Sequence, residues 1–264
     1  MMSTHSAAVK KTSMPALNTN DISAAEWAVR TELAACYRIF AHLGWVELIY
    51  NHITVRVPGE QKHFLINPFG LRYDEVTASN LVKIDLHGNV IGHSDWPVNP
   101  AGFTVHRAIH ESLEHAHCVM HTHTTAGMAV ACSQDGLSLS NFYSAQLYGQ
   151  VAYHDFEGIT VHDDETPRLL KNIGNKRAVI LRNHGLLALG SSIPRAFAVL
   201  WLLNRACEIQ VASTSMGAVR MIAPEIQQAC ARDSLQFNEK FGSGQDVFDA
   251  LTRLIDKIDP SYKE

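Results

Sequence analysis

Apolar residues recur along this chain with two periods, and the places where each holds set the expected elements. From Ser23 the period is helical, with Leu33, Cys36, Tyr37, Phe40 and Leu43 on one face. Ser23-Ala24-Ala25-Glu26 fits a capping box that starts this helix, and Gly44 stops it. The period then drops to two. Ile53, Val55 and Val57 alternate with His52, Thr54 and Arg56 up to Pro58-Gly59, which predicts a strand and a turn. Phe64-Leu65-Ile66 predicts a second strand, and residues 81–86 and 90–92, joined through His87-Gly88-Asn89, predict a hairpin. After a loop over 94–100 comes a helix carrying Phe103, His106, Ile109 and His110. The apolar run Cys118-Val119-Met120 predicts a strand, and Thr124 caps the small-residue helix that follows it. Further strands are expected over 151–156, 178–181 and 186–189, with helices over 167–173 (ended by Gly174), 193–213, 224–240 and 245–258. No internal repeat is present.

Bulk composition narrows the classes. At 264 residues and 46% hydrophobic, the chain can bury one sizeable core, so a single domain over 23–264 is expected after a polar, flexible tail over 1–22. A net charge of −4 and a pI near 6.4 offer no electrostatic case for nucleic acid or an anionic membrane as partner. No stretch reaches the length of a membrane span, and no secretory leader is visible. The five cysteines, Cys36, Cys118, Cys132, Cys207 and Cys230, show no paired spacing and are expected as buried free thiols, which points to the cytoplasm. The helix over 193–213 carries Phe197, Val199, Leu200, Trp201, Leu202 and Leu203, more apolar surface than one stripe needs, so a homo-oligomer is expected.

The chemistry concentrates in His121-Thr122-His123 and, sixty-one residues further on, Asn183-His184-Gly185. Imidazoles at i and i+2 project from one face of a strand, so the first pair offers two metal ligands without rearrangement. With 15 histidines in the chain such a pair can arise by chance, and its setting is what counts. Both motifs follow apolar strands, and Gly185 is expected to allow the tight turn that aims His184 inward. Three protein ligands leave a coordination position open, as catalytic sites do.

Together with Tyr50-Asn51-His52-Ile53-Thr54, Asn67-Pro68-Phe69-Gly70, Val98-Asn99-Pro100-Ala101-Gly102-Phe103 and Val151-Ala152-Tyr153-His154-Asp155, in that order, these motifs resemble the class II aldolase/adducin family from about residue 26 to 215. The resemblance implies an α/β fold, a three-layer α/β/α domain around a central, largely antiparallel sheet. It implies that His121, His123 and His184 bind a divalent metal, most often zinc, with iron, nickel, cobalt and manganese as alternatives. That metal would polarise a substrate carbonyl and stabilise an enediolate. It also implies a homotetramer with the site near a subunit interface.

Departures from the family pattern matter as much. In its sugar-phosphate aldolases a Ser-Ser-acid segment places the proton-moving carboxylate nineteen residues before the first metal histidine, and here that position is Gly102, preceded by Pro100 and Ala101. Losing a general acid or base forfeits on the order of 10²–10⁴ in rate. Asp95 and Glu111 are the nearest carboxylates on either side. Of the phosphate-binding turns only Asn51 and Gly70 remain as anion-binding candidates, with bulky Phe69 in the second loop. His106 and Tyr143, the latter in the segment that matches the family's neighbouring-subunit tyrosine, are the candidates to replace the missing acid, along with water activated by the metal or dioxygen chemistry.

The Val-Asn-x-Ala-Gly-Phe and Val-Ala-Tyr-His-Asp motifs resemble the adducin-like branch, whose head domain has lost the metal pattern that this chain keeps. No basic tail follows here, so actin binding is not expected. Two functions are therefore expected to compete. One is a metal-dependent enzyme of lyase, decarboxylase or oxygenase type on a small hydroxy or keto acid or a sugar-derived substrate, not an efficient sugar-phosphate aldolase. The other is a non-catalytic, adducin-head-like assembly or binding module.

Overall fold

The first helix shows how the sequence turns into packing. A computed structural model describes residues 22–60, 62–159 and 163–264, so of the expected tail only Ile22 falls among the described residues. Helix α1 (Ala24–His42) starts where Ser23 Oγ accepts the Glu26 N–H at 3.1 Å. The expected capping box is only half formed, because the Glu26 carboxylate turns inward to Arg30 Nε at 2.8 Å and Lys83 Nζ at 3.0 Å. Arg30, itself buried, also donates to the Ala78 and Leu81 carbonyls. A buried guanidinium needs this many partners, and satisfying it outweighs closing the cap. Leu33, Cys36, Tyr37 and Phe40 are fully buried, and the chain leaves the helix through Gly44 at φ +72°.

Seven strands form one mixed sheet: β1 (His52–Arg56), β2 (His63–Ile66), β3 (Val82–Asp85), β4 (Cys118–Thr122), β5 (Val151–His154), β6 (Ala178–Leu181) and β7 (Gly185–Gly190). Their order is β3-β2-β1-β4-β7-β6-β5, antiparallel throughout except for the parallel β5–β6 pair. The central strands are buried on both faces, and alternate residues feed two cores. Met120, Ile180, Leu186 and Ala188 face α1, α3 (Thr125–Ala131), α6 (Ile193–Thr214) and α8 (Gln245–Ile258). Val119, Val179, Leu187 and Leu189 face α2 (Pro100–Ser112) and α5 (Thr166–Ile173). The three-layer α/β/α architecture with a largely antiparallel sheet is thus present. The remaining helix on the α6 side, α7 (Pro224–Lys240), packs on α4 (Phe142–Gln146), a short helix that no periodicity in the sequence predicts.

Three local expectations are corrected. The hairpin after β3 closes around Asp85, but its return arm makes a single bridge, Ile84 to Val90, because the Asp85 side chain takes the His87 and Asn89 N–H groups and curls the chain. Strand β5 stops at His154, leaving Phe156 half-exposed. Cys132 is exposed and Cys230 half-buried, since each sits at or beyond the covered face of its helix; only Cys36, Cys118 and Cys207 are buried. The polar positions of β1, to which the sequence assigned no neighbour, are buried: His52 and Thr54 are covered by α2, which brings His106 and His110 down onto them.

Candidate metal centre and cavity

The end of β4 assembles the three expected ligands. His121 lies within the strand, His123 one residue beyond it, and His184 in the turn between β6 and β7. Strand pairing sets their relative depth, with His121 opposite Leu187 on one side and His52 on the other. One nitrogen from each of His121, His123 and His184 falls within 4.8 Å of the others, and the Nε2 atoms of His121 and His123 lie 2.7 Å apart. His121 Nδ1 donates to the Leu186 carbonyl at 2.9 Å, which leaves Nε2 with its lone pair toward the cluster. The His123 N–H donates to Asn51 Oδ1 at 3.1 Å, pinning the chain as it leaves the sheet.

The β6–β7 turn works differently from the sequence expectation. Its left-handed residue is Asn183, at φ +56°, not Gly185. Gly185 is needed because a Cβ there would lie 2.5 Å from the Thr122 carbonyl, 3.0 Å from His123 Cδ2 and 3.3 Å from His121 Cε1. A side chain would wedge the ligands apart.

Burial, the largest cause in each case, lowers the pKa of His121 far below that of a free imidazole, that of His123 to about 4 and that of His184 in the same direction; the neighbouring rings add to it for His121 and His123. All three are neutral near pH 7 and offer lone pairs. A set of neutral nitrogen donors fits zinc or another borderline divalent ion, with modest spreading of the His121–His123 contact to the ~2.0–2.1 Å bonds such ions make.

The ligands form one wall of a cavity of about 420 Å³, otherwise lined by Tyr50, His52, Asn99, Gly102, Val105, Met128, Phe156, Gly158, Ile159, Leu181 and Asn183. Among the described residues this wall contains no carboxylate, lysine, arginine, serine or threonine. A space of this size, mostly apolar with a few converging polar groups, suits a small molecule.

His52 is the wall residue that the sequence reading did not single out. Its ring lies 5.2 Å from that of His121, centroid to centroid, and Gly102 packs directly on it: a Cβ at residue 102 would be 2.3 Å from His52 Cδ2 and 2.5 Å from Nε2. Behind it runs a buried polar row. His52 Nδ1 meets His106 Nε2 at 3.0 Å, His106 Nδ1 meets Thr54 Oγ1 at 2.7 Å, Thr54 Oγ1 meets His110 Nε2 at 2.7 Å, and His110 Nδ1 meets the Ala116 carbonyl at 2.8 Å. Burial pushes His52 and His110 down to about 3 and His106 well below the usual histidine range. The signal was available: His52 and Thr54 are the polar half of a strand that faces His106 and His110, one helical turn apart.

The other candidates are placed elsewhere. His106 is fully buried and reaches the cavity only through His52. Tyr143 lies on α4, edge-on to Trp201 at 5.6 Å, in an apolar groove with Phe142 and Phe237, not on the cavity wall. Asn51 is 1% exposed and engaged by its own chain, Nδ2 donating to the Trp45 carbonyl while Oδ1 holds His123. Gly70 is exposed at φ +112° beside Trp96 and does not line the cavity. Asp95 is exposed and paired with His93. His121, His123, His184, Gly102 and His52 come together on the cavity wall, and Asn51 and Gly70 are not on it.

Residues 31–211 match the model of the class II aldolase and adducin N-terminal domain. An aldolase II superfamily protein from Pseudomonas syringae superposes with a TM-score of 0.87 at 39% identity, covering 93% of this chain and 98% of that one. The L-fuculose 1-phosphate aldolase from Glaciozyma antarctica superposes with a TM-score of 0.80 at 28% identity, covering 95% and 97%. Rat α-adducin is 43% identical over 247 residues, 88% of this chain but 34% of the adducin.

Proposed function

This chain belongs to the class II aldolase and adducin family, and from that premise we propose that it is a divalent-metal-dependent enzyme of lyase type, with decarboxylase and oxygenase chemistry as variants, acting on a small hydroxy or keto acid or a sugar-derived substrate. The observation that carries the reading is the trio of neutral imidazoles set into the wall of a small-molecule-sized cavity. Bound there, the metal, zinc in our reading, supplies Lewis-acid polarisation of a carbonyl oxygen. The chain supplies the rest. Leu186 O and Asn51 fix His121 and His123, Gly185 keeps the ligand space open, and Val105, Met128 and Leu181 give the apolar walls that strengthen electrostatic interactions inside.

The same cavity argues against efficient sugar-phosphate cleavage. A phosphate dianion finds no lysine, arginine, serine or threonine on the described wall, and position 102, where the family's carboxylate would project, is filled by the His52 ring. Neither His106 nor Tyr143 touches the cavity directly, so His106 can influence a proton there only through His52. We further infer a homotetramer in the cytoplasm, supported by the apolar groove of Phe142, Trp201, Phe237 and Phe241 and by five unpaired thiols; no helix among the described residues is long and apolar enough to cross a membrane.

The likeness to α-adducin favours a second reading, a non-catalytic binding or assembly module that retains the metal. One experiment separates them: metal analysis of protein purified without chelator or histidine tag, followed by a turnover screen of hydroxy and keto acids beside L-fuculose 1-phosphate. Stoichiometric metal with metal-dependent turnover of an acid supports the enzyme. Stoichiometric metal with no turnover across the screen supports the module, and robust cleavage of the phosphate overturns the substrate assignment.

A further inference from the structure

We propose that His52 is a hydrogen-bond acceptor of fixed tautomer that selects substrates carrying a hydroxyl next to the carbonyl, with Thr54, His106 and His110 as the positioning residues that hold it so. This deepens the metal-enzyme reading and rests on it for the placement of the carbonyl.

The direction of the polar row follows from its buried end. A carbonyl oxygen only accepts, so His110 Nδ1 must carry a proton to meet Ala116 O at 2.8 Å. A neutral ring then has a bare Nε2, to which the Thr54 hydroxyl donates its single hydrogen. The hydroxyl oxygen can therefore only accept from His106 Nδ1, which leaves His106 Nε2 bare to accept from His52 Nδ1. His52 Nε2 is left without a proton, beside Gly102 on the cavity wall. The reverse direction would oppose two lone pairs at Ala116. Among the described residues no carboxylate hydrogen-bonds to any of the three rings, so nothing in the row supplies the counter-charge that a charged imidazole there would need.

Ligand selection follows. A bare nitrogen in a mostly apolar wall meets an O–H favourably and a C–H or a carboxylate oxygen unfavourably, and a site built to receive a hydroxyl discriminates strongly against the analogue that lacks it. Gly102 is part of the device, because any side chain at that position would displace the ring.

Two readouts test this. In protein labelled with ¹⁵N at histidine, the metal-free wild type is expected to show His52 protonated at Nδ1 and bare at Nε2, and Thr54→Val, which removes the hydroxyl but keeps the shape, is expected to mix the two tautomers while Thr54→Ser preserves the wild-type one. Binding is then compared for hydroxypyruvate against pyruvate and glycolate against acetate, read from the visible absorption of the cobalt-loaded protein. The hydroxylated member of each pair is expected to bind the wild type and Thr54→Ser at least tenfold more tightly. In Thr54→Val, and in His52→Asn, which keeps the donor to His106 and removes the cavity nitrogen, the ratio is expected to fall below about threefold. A proton on His52 Nε2 in the wild type, equal binding within each pair, or unchanged discrimination in His52→Asn overturns the inference. Failure to load cobalt, or loading without binding of any acid, counts instead against the metal-enzyme reading, and the tautomer still decides the state of His52.

Discussion

Gly102→Ala reverses an ordinary rule. Replacing glycine by alanine in a helix normally stabilises by up to about 1 kcal/mol. Gly102 lies in the first turn of α2 with no left-handed backbone to protect, so propensity alone favours the change. The new methyl, however, would start 2.3 Å from His52 Cδ2 and 2.5 Å from Nε2, and it faces a buried ring held at 3.0 Å to His106, not the mobile end of a long side chain. Overpacking of this kind costs about 1–3 kcal/mol, and weakening the His52–His106 bond adds about 0.5–1.5 kcal/mol. After the propensity gain the net loss is about 2 kcal/mol, or roughly 4–8 °C in Tm for a chain of this size. Urea unfolding of the metal-free protein, followed by circular dichroism, measures it without linkage to metal binding. The cause is isolated by repeating the change in a His52→Ala background, where the methyl meets space and the cost is expected to vanish, a coupling of about 2 kcal/mol. If Gly102→Ala alone is as stable as the wild type, the ring does not occupy that space and the argument about position 102 fails.

Other outcomes are as definite. His121→Ala/His123→Ala is expected to lose stoichiometric metal while keeping its fold, and full metal content in that double variant refutes the ligand assignment. For pH, His52 and His110 have folded pKa values of about 3, below the unfolded value, so the unfolded chain takes up protons first as pH falls. Stability is therefore whole above about pH 6.5 and lost down to about pH 3, at roughly 1.4 kcal/mol per pH unit for each ring; a urea midpoint that stays flat from pH 7 to 5 in the metal-free protein contradicts this. Glu26→Gln leaves the buried Arg30 without its carboxylate and is expected to cost about 3–5 kcal/mol, measured by the same unfolding curves. Light scattering at micromolar concentration is expected to report a multiple of 29.2 kDa, four for the tetramer, and a monomer would remove the assembly proposal.

The helices and strands of this protein are written locally. Period, caps and breakers placed α1 from Ser23 to Gly44, α5 up to Gly174 and the strands that carry His121 and precede His184 close to where they lie, because each is fixed by residues a few positions apart. The His-x-His spacing likewise brought two candidate ligands together at one strand end, and the order of motifs reached the family and hence the layers of the fold. Only the tertiary structure decided what the polar side of β1 is for. Alternation in the sequence reports that His52 and Thr54 point away from the first core, and it is silent on whether water or another helix lies beyond. The packing of α2 turned them into a buried row and made Gly102 a seat for an imidazole, while the pairing of β1 with β4 set Asn51 to hold His123. Those roles depend on contacts between residues about fifty or more positions apart, and a pattern read along the chain carries no information about which distant surfaces meet.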